Sequence, residues 1–372
     1  MSGARRLLWV VPEVEGGIRS YSNNLWPAVA QAAAASFEPL EPVIVPGTRE
    51  GLATALAEVA RLLPDVVHIQ HEYGLFGSKF PLLYRFPSWL RDIRRIVPES
   101  TVVATAHTVL EPRYRYPLAG RGVQIPIRAF SNVFLRSRMR KAWGERTWGA
   151  LDGVIVHSKT QIESVRLSGC PRVAEIPHFV PAGSGLPEAP KPGQGQVMIF
   201  GYISPEKGQD IAIEAFARSR AGGRLVIAGG VRRREEMGYM EHCRGLIRKL
   251  GLQERVEITG FVPSERLARA YAEADLVLAP FRETWGSGSL ATAFAHGAPV
   301  LASDLALNRE LAERVPGCLE FFKSGDPGDC AVAIDRLLAS AEARKSLSKR
   351  AGEYRERYQP ERIARLHLEF YG

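Results

Sequence analysis

The stretch DLVLAPFRETWGSGSLATAFAHGAPVLASD, Asp275 to Asp304, decides the fold. It opens on an apolar run, Asp275–Pro280, with the length and composition of a buried β-strand. A lone carboxylate, Glu283, stands at the C-terminal end of that strand, and Gly286-Ser-Gly-Ser289 follows. Leu290, Ala293 and Phe294 then carry an apolar helix that stops at Gly297, and Pro299–Ser303 reads as a second strand. Strand, glycine turn, helix and strand make a β-α-β unit of a parallel sheet. The first N–H groups of such a helix lack intrahelical partners and its dipole is positive there, so the turn is an anion-binding corner. A carboxylate beside that corner suits a ligand with hydroxyls at one end and phosphate at the other, as in a nucleotide sugar.

The same alternation extends in both directions. Short Val/Ile/Leu runs at Leu7–Val11, Pro42–Val45, Asp65–Gln70, Thr101–Thr105 and Gly153–His157 are separated by helical patterns. A second series runs through Val197–Gly201, Arg224–Ala228, Arg255–Thr259, Asp275–Pro280 and Pro299–Ser303. Continuous apolar strands between helices predict parallel sheets covered on both faces. Between the two series, Pro181 to Gly195 is rich in Pro and Gly and has no periodicity, which predicts a linker. A chain of 372 residues is long for one core, and two doubly wound domains are expected. Ser264 is expected to cap a helix carrying Leu267, Ala270, Tyr271 and Ala274.

Composition narrows the class. The chain is 45% hydrophobic and 24% charged, with no apolar run near the roughly 20 residues that a spanning helix needs. Cys170, Cys243, Cys318 and Cys330 lie far apart without a CxxC pair, so neither a disulfide framework nor a zinc site is indicated and a reducing cytoplasm is expected. Lys79–Trp148 holds 14 Lys/Arg against 4 Asp/Glu, a net of +10 in a chain whose total is +9. Phe80, Tyr84, Phe86, Trp89, Tyr114, Tyr116, Phe130, Phe134, Trp143 and Trp148 are interleaved with those cations. Such a segment suits an anionic membrane surface or an anionic acceptor, or else is a solvated basic face with its aromatics turned inward. Nucleic acid is not expected as a partner, because no nucleic-acid module motif is present.

Three further places carry candidate chemistry. Gly16-Gly17 follows the first strand and opens a helix, where glycine lets backbone approach a ligand closely. There is no GxGxxG dinucleotide fingerprint. Ser204-Pro-Glu-Lys-Gly208 follows the strand ending at Gly201 and puts Lys207 where a phosphate partner belongs. His71, His107 and His178 each stand at a strand end, and His107 is the one expected to serve a ligand. No His/Asp/Glu cluster has metal-ligand spacing, so no metal is expected.

With Gly16-Gly17, His107, Pro205-Glu-Lys-Gly208, Gly260-Phe-Val262, Glu283-Thr-Trp-Gly286 and Gly297-Ala-Pro-Val-Leu-Ala-Ser303 in this order, the chain resembles family 4 retaining glycosyltransferases of the GT-B fold. The likeness spans almost the whole chain and is more specific in the second half. Gln70-His-Glu-Tyr-Gly-Leu-Phe-Gly77 looks like a subgroup of bacterial members. The resemblance implies two Rossmann-like domains facing across a cleft: residues 1–182 for the acceptor, a linker at 183–196, and 197–357 for the donor. A last helix, about 358–372, would pack back on the first domain. It implies transfer from a nucleoside-diphosphate sugar to a glycan or lipid-linked acceptor in cell-surface polysaccharide or glycolipid synthesis, at the inner membrane face. Apart from the donor, no cofactor is implied.

By position, the resemblance puts Gly16 and Gly17 near the diphosphate, His107 against the transferring sugar, and Lys207 on the leaving group. Phe261 and Val262 would edge the base, Glu283 would hold the sugar hydroxyls, and Gly286, Ser287, Gly288, Ser289 and Leu290 would cradle phosphate. Two positions depart from the family. The second motif carboxylate, expected at 291, is Ala; with one inserted residue its place falls on Thr292. The arginine expected before the lysine is Tyr202. Ser204, Ser287 and Ser289 are candidates to replace the lost groups. A non-catalytic relative that binds a nucleotide or glycan, or another GT-B enzyme such as an epimerase or phosphorylase, remains open.

Overall fold

The computed structural model describes residues 3–13, 16–33, 36–76, 84–110, 129–130, 132–135, 137–138, 141–183, 195–232, 234–284, 286 and 288–372. The chain divides into two compact units, Met1–Pro177 with Glu361–Gly372, and His178–Pro360. Of the expected linker, residues 184–194 lie outside the described residues.

The first unit is built on a parallel sheet of β1 (Arg5–Pro12), β2 (Phe37–Pro39), β3 (Val43–Val45), β4 (Val66–His71), β5 (Thr101–Ala106), β6 (Gly153–Val156) and β7 (Val173–Glu175). Its order is β2-β1-β4-β5-β6-β7, with β3 also pairing β1. β2 and β3 pair successive stretches of β1, Arg5–Leu7 and Val10–Pro12. β2 ends on Pro39 and the break that follows carries Pro42; neither proline has an N–H to give a ladder. β4 and β6 are buried along their whole length, the signature of central parallel strands. Helices α1 (Gly17–Ala33), α2 (Arg49–Leu62), α3 (Phe86–Ile96) and α4 (Lys159–Arg166) cover the sheet. Thr48 caps α2 by accepting from the Gly51 N–H, and Ser158 caps α4 by accepting from the Thr160 N–H. One sheet face is apolar, with Leu8, Val10, Val67, Ile69, Val102 and Ala104 in its core.

The second unit repeats the plan with β8 (Val197–Phe200), β9 (Leu225–Ala228), β10 (Val256–Ile258), β11 (Leu276–Ala279), β12 (Val300–Ser303) and β13 (Glu320–Phe322), in the order β10-β9-β8-β11-β12-β13. All pairs are parallel. Helices α5 (Gln209–Arg218), α6 (Met237–Lys249), α7 (Ser264–Glu273), α8 (Gly288–Ala295), α9 (Ala306–Arg314), α10 (Pro327–Ala339) and α11 (Ala341–Arg357) surround it. Ser264, expected as a cap, is instead the first residue of α7, and Pro263 takes the capping position. β2, β7 and β13 were not expected; each is three residues long and too short to show a period.

The final helix, α12 (Pro360–Tyr371), belongs to the first unit. Its Phe370 ring lies against Gly153 of β6, where an added Cβ would come within 2.6 Å of the ring. Among the described residues no helix is long and apolar enough to cross a membrane. The four cysteines are free and buried.

Candidate active site

In an open parallel sheet, ligands bind outside the strand C-termini where the strand order reverses. In the second unit that point lies between β8 and β11. The loops leaving these two strands are the ones that hold Ser204–Gly208 and Phe281–Gly288.

The two loops are tied together. The Arg282 N–H donates to the Glu206 carbonyl at 2.8 Å, and Arg282 Nη1 donates to the Pro205 carbonyl at 2.8 Å. The guanidinium also grips both carboxylate oxygens of Asp210, each at 2.8 Å. Tyr239 on α6 donates its hydroxyl to the same carboxylate at 2.7 Å. Burial pushes the Asp210 carboxyl up, but the hydrogen bonds from Arg282 and Tyr239 outweigh it and leave its pKa below the usual carboxylate value. Gly208 completes the joint with φ 65°, and a Cβ there would meet the Pro280 carbonyl oxygen at 2.0 Å. Only glycine allows both the left-handed backbone and that approach.

Lys207 is set by this joint. Its ammonium lies 3.9 Å from the centre of the Phe281 ring, and Phe281 is itself buried. Burial lowers the ammonium pKa to about 8, partly offset by Glu206. Among the described residues no carboxylate forms an ion pair with it. Lys207 is therefore a partly desolvated cation with no ion-paired carboxylate among the described residues, and the Glu283 N–H reaches the carbonyl of its neighbour Glu206 at 3.5 Å. Ser204, immediately before this turn, is buried.

The start of α8 lies beside the end of β8. A Cβ on Gly201 would come within 3.6 Å of Ser289 Cβ. Leu290 is buried in the core, so only its backbone is available to a ligand. Gly286 accepts from the Thr284 hydroxyl at 3.4 Å. Ser287 lies outside the described residues. Ala291 is also in the core, whereas Thr292 is half-buried and donates its hydroxyl to the Gly288 carbonyl at 2.7 Å. Across the strand ends, Phe261 is 65% exposed and meets Tyr202 edge-on at 5.8 Å, while Val262 packs on the core. Arg232 reaches over the Tyr202 ring at 5.3 Å, bringing a cation to the position that lacks the expected arginine.

In the first unit the reversal lies between β1 and β4, and Gly16-Gly17 and His107 are near strand ends there. The Gly16 carbonyl accepts from the Ser20 N–H at 2.9 Å, starting α1, and the space beside Gly17 is open. His107 follows β5, and its Nε2 contacts Gln70 Oε1 at 2.9 Å. The Gln70 amide nitrogen is buried with no hydrogen-bond partner. Behind His107 lies a layer of aromatic and imidazole rings. Tyr21 meets His107 edge-on at 4.9 Å, and its hydroxyl contacts His367 Nε2 at 3.4 Å. The Tyr371 hydroxyl lies between His367, His68 and Trp9 Nε1, which donates to it at 3.2 Å. His68 Nε2 continues the series to Thr105 Oγ1 at 2.8 Å. Burial holds His68 well below the usual imidazole value and His367 at about 3.

The other two strand-end histidines sit in different settings. His71 is buried among Tyr73, Phe76, Phe86 and Trp148, contacts Tyr84 at 2.6 Å, and is lowered by burial to about 3. His178 contacts the Phe179 carbonyl at 2.6 Å and belongs to the second unit. Sequence reading missed Arg282, Asp210 and Tyr239. Their sequence separation of up to 72 residues leaves no local pattern, and only the position of Arg282 next to Glu283 could have drawn notice. Among the described residues no three His, Cys, Asp or Glu side chains gather as metal ligands.

The family description "glycosyl transferases group 1" matches residues 194–340. D-inositol 3-phosphate glycosyltransferase of Salinispora tropica is 25% identical over 99% of this chain and 79% of its own length. The enzyme of that name from Nocardia farcinica is 28% identical over 80% of this chain, which spans 65% of the relative. Among solved structures, sucrose-phosphate synthase from Thermosynechococcus elongatus superposes with a TM-score of 0.74 at 19% identity, covering 99% of this chain and 98% of that one. Anabaena Alr3699/HepE in complex with UDP and glucose gives 0.68 at 15% identity, over 98% and 99%. The chain thus has the GT-B fold, two parallel-sheet α/β units, and its residues 194–340 match the glycosyl transferases group 1 family. Over most of its length it is similar in sequence to the D-inositol 3-phosphate glycosyltransferases.

Proposed function

We propose that the chain is a retaining hexosyltransferase of family 4 that moves a sugar from a nucleoside-diphosphate donor to a hydroxyl acceptor. The observation that supports this reading is the joint at the β8/β11 reversal, which ties the loop of the desolvated Lys207 to the Glu283 loop. The barrier to such a transfer comes largely from charge growing on the departing diphosphate, and fixed donors aimed there lower it. Lys207 neutralises that charge, and the N-terminal amides of α8 add their dipole. Glu283 holds the sugar hydroxyls, and Ser204 and Ser289 add hydrogen bonds to phosphate. The Phe261 and Val262 backbone borders the base. Gly16, Gly17 and His107 serve the donor and transferring sugar from the first unit, whose role is acceptor binding. No metal is needed where a lysine and a helix start carry the charge.

Uridine diphosphate sugars are the donors to try first, since the Anabaena protein of the same fold binds UDP and UDP-glucose. The names of the relatives make a phosphorylated polyol one acceptor to test beside glycans and lipid-linked sugars. The setting proposed is cell-surface polysaccharide or glycolipid synthesis at the inner membrane face. A donor screen by product formation, repeated with Lys207→Ala and Glu283→Ala, tests the reading. Each variant is expected to lose about 100-fold or more in kcat. Full activity in both would overturn the site assignment, and no binding of any donor would favour a non-catalytic relative.

A further inference from the structure

Within the basic segment 79–148, the structure separates two kinds of aromatic residue. Tyr84, Phe86, Trp89, Trp143 and Trp148 are buried in the core of the first unit. Phe130, Val133 and Phe134 do the opposite and are 54%, 69% and 68% exposed. Phe130 lies in helical residues 129–130, and Val133 and Phe134 in helical residues 132–134. The two phenyl rings stack 4.9 Å apart. The adjoining Leu135 is buried and anchors this turn to the core. Two stacked phenyl rings with Val133 beside Phe134 in sequence, all exposed, mark an interaction surface.

The charges nearby identify its partner. Arg138, Lys141 and Arg146 are exposed just beyond the cluster, and the sequence from 128 to 146 holds six basic residues and one acidic one. We infer that Phe130, Val133 and Phe134 form a wedge that enters the interface of an anionic lipid bilayer, with the neighbouring cations on its headgroups. Aromatic rings at the boundary and cations at the charged surface are the two attractions that seat a peripheral protein. A second copy of the chain is a poor occupant, because a two-fold contact would set one basic patch against its twin.

This inference goes beyond the proposed transferase reaction and is tested without donor or acceptor, so each can fail alone. The full chain is pelleted with phosphatidylcholine vesicles, with or without about 30 mol% phosphatidylglycerol. Binding is expected only with the anionic lipid and is expected to weaken as salt rises from about 0.1 to 0.5 M. Phe130→Ser with Phe134→Ser should cut partitioning by about tenfold, whereas Phe134→Trp should retain it. Because these side chains are exposed, circular dichroism should show both proteins folded. Equal binding to neutral vesicles, binding to neither, or wild-type binding by the double serine variant overturns the inference. So does a wild-type dimer in sedimentation that the double variant abolishes, since a second copy would then cover the wedge.

Discussion

The two units follow one strand plan and use it differently. Each reverses its strand order beside its first strand, between β1 and β4 or between β8 and β11. In the second unit the reversal is lined by glycines, a half-buried lysine and a short helix start, held by the Arg282–Asp210–Tyr239 tie. In the first unit the corresponding layer is packed with Trp9, His68, Tyr21, His367 and Tyr371. Strand alternation puts Trp9 opposite His68 in register, and α12 closes over them. One topology thus yields an electropositive cradle in one case and a neutral buried polar network in the other. Side chains rather than sheet order decide which.

That contrast makes acid the strongest way to tell the units apart. His71 and His367 in the first unit are held to about 3 by burial, and His68 is also lowered. A histidine whose folded pKa lies below its unfolded value of 6.5 favours the unfolded state as soon as that state takes up the proton. Its contribution to stability is intact above 6.5 and is lost as pH falls toward the folded pKa. At pH 5 the loss is roughly 2 kcal/mol for each such imidazole, so about 4 kcal/mol for His71 and His367 together. In the second unit the half-buried His178 is lowered to about 4, and burial lowers His296 as well, without the tightly packed network of the first unit. Hydrogen exchange read by mass spectrometry at pH 7 and pH 5 should show the first unit losing protection well ahead of the second. Equal losses would erase the distinction between network and cradle.

The legibility of the two halves in the sequence follows the same division. The strands of both sheets show as apolar runs because buried parallel strands need no alternation. Lys207, Glu283 and the start of α8 also show, because each lies within a few residues of a strand end. Ala291 packs in the core, whereas Thr292, where one inserted residue would put the second carboxylate position, is half-buried. The network is different in kind. Residues 9, 21, 68, 367 and 371 meet only when the chain's last helix returns to the first sheet, with Trp9 and Tyr371 separated by 362 positions. Periodicity cannot report such a meeting. The tie to Asp210 was hidden for the same reason, and the aromatics of segment 79–148 carried no sign of which would turn inward.

The cradle's own titration gives a smaller effect. Burial lowers Lys207 to about 8, so the free enzyme loses this cation as pH rises through that value. Under the proposed reaction kcat/KM should fall about tenfold per pH unit above 8. Lys207→Arg, if active, should remove that limb, since guanidinium stays protonated. A flat profile to pH 9.5 in the wild type, with Lys207→Ala inactive, would mean that burial against Phe281 does not set the ammonium's state. The cradle would then be closer to ordinary solvent than its geometry implies.

The smallest effect is expected at Thr292. Its hydroxyl proton is already given to the Gly288 carbonyl one turn back, so toward a ligand the oxygen can only accept. Ribose hydroxyls can donate to it, but a half-buried neutral oxygen offers them far less than a carboxylate would. Thr292→Val keeps the branched shape and removes the polar atom. It should change the donor KM by less than about threefold, about 0.65 kcal/mol, which is near the lower end of the roughly 0.5–1.5 kcal/mol that one neutral hydrogen bond contributes. Loss of a helix back-bond is no great cost, because such bonds do not strengthen a helix. A rise in KM beyond about tenfold would show instead that Thr292 inherits the carboxylate's task. Nucleotide recognition would then rest on the start of α8, and not on the cations at Lys207 and Arg232 across the strand ends.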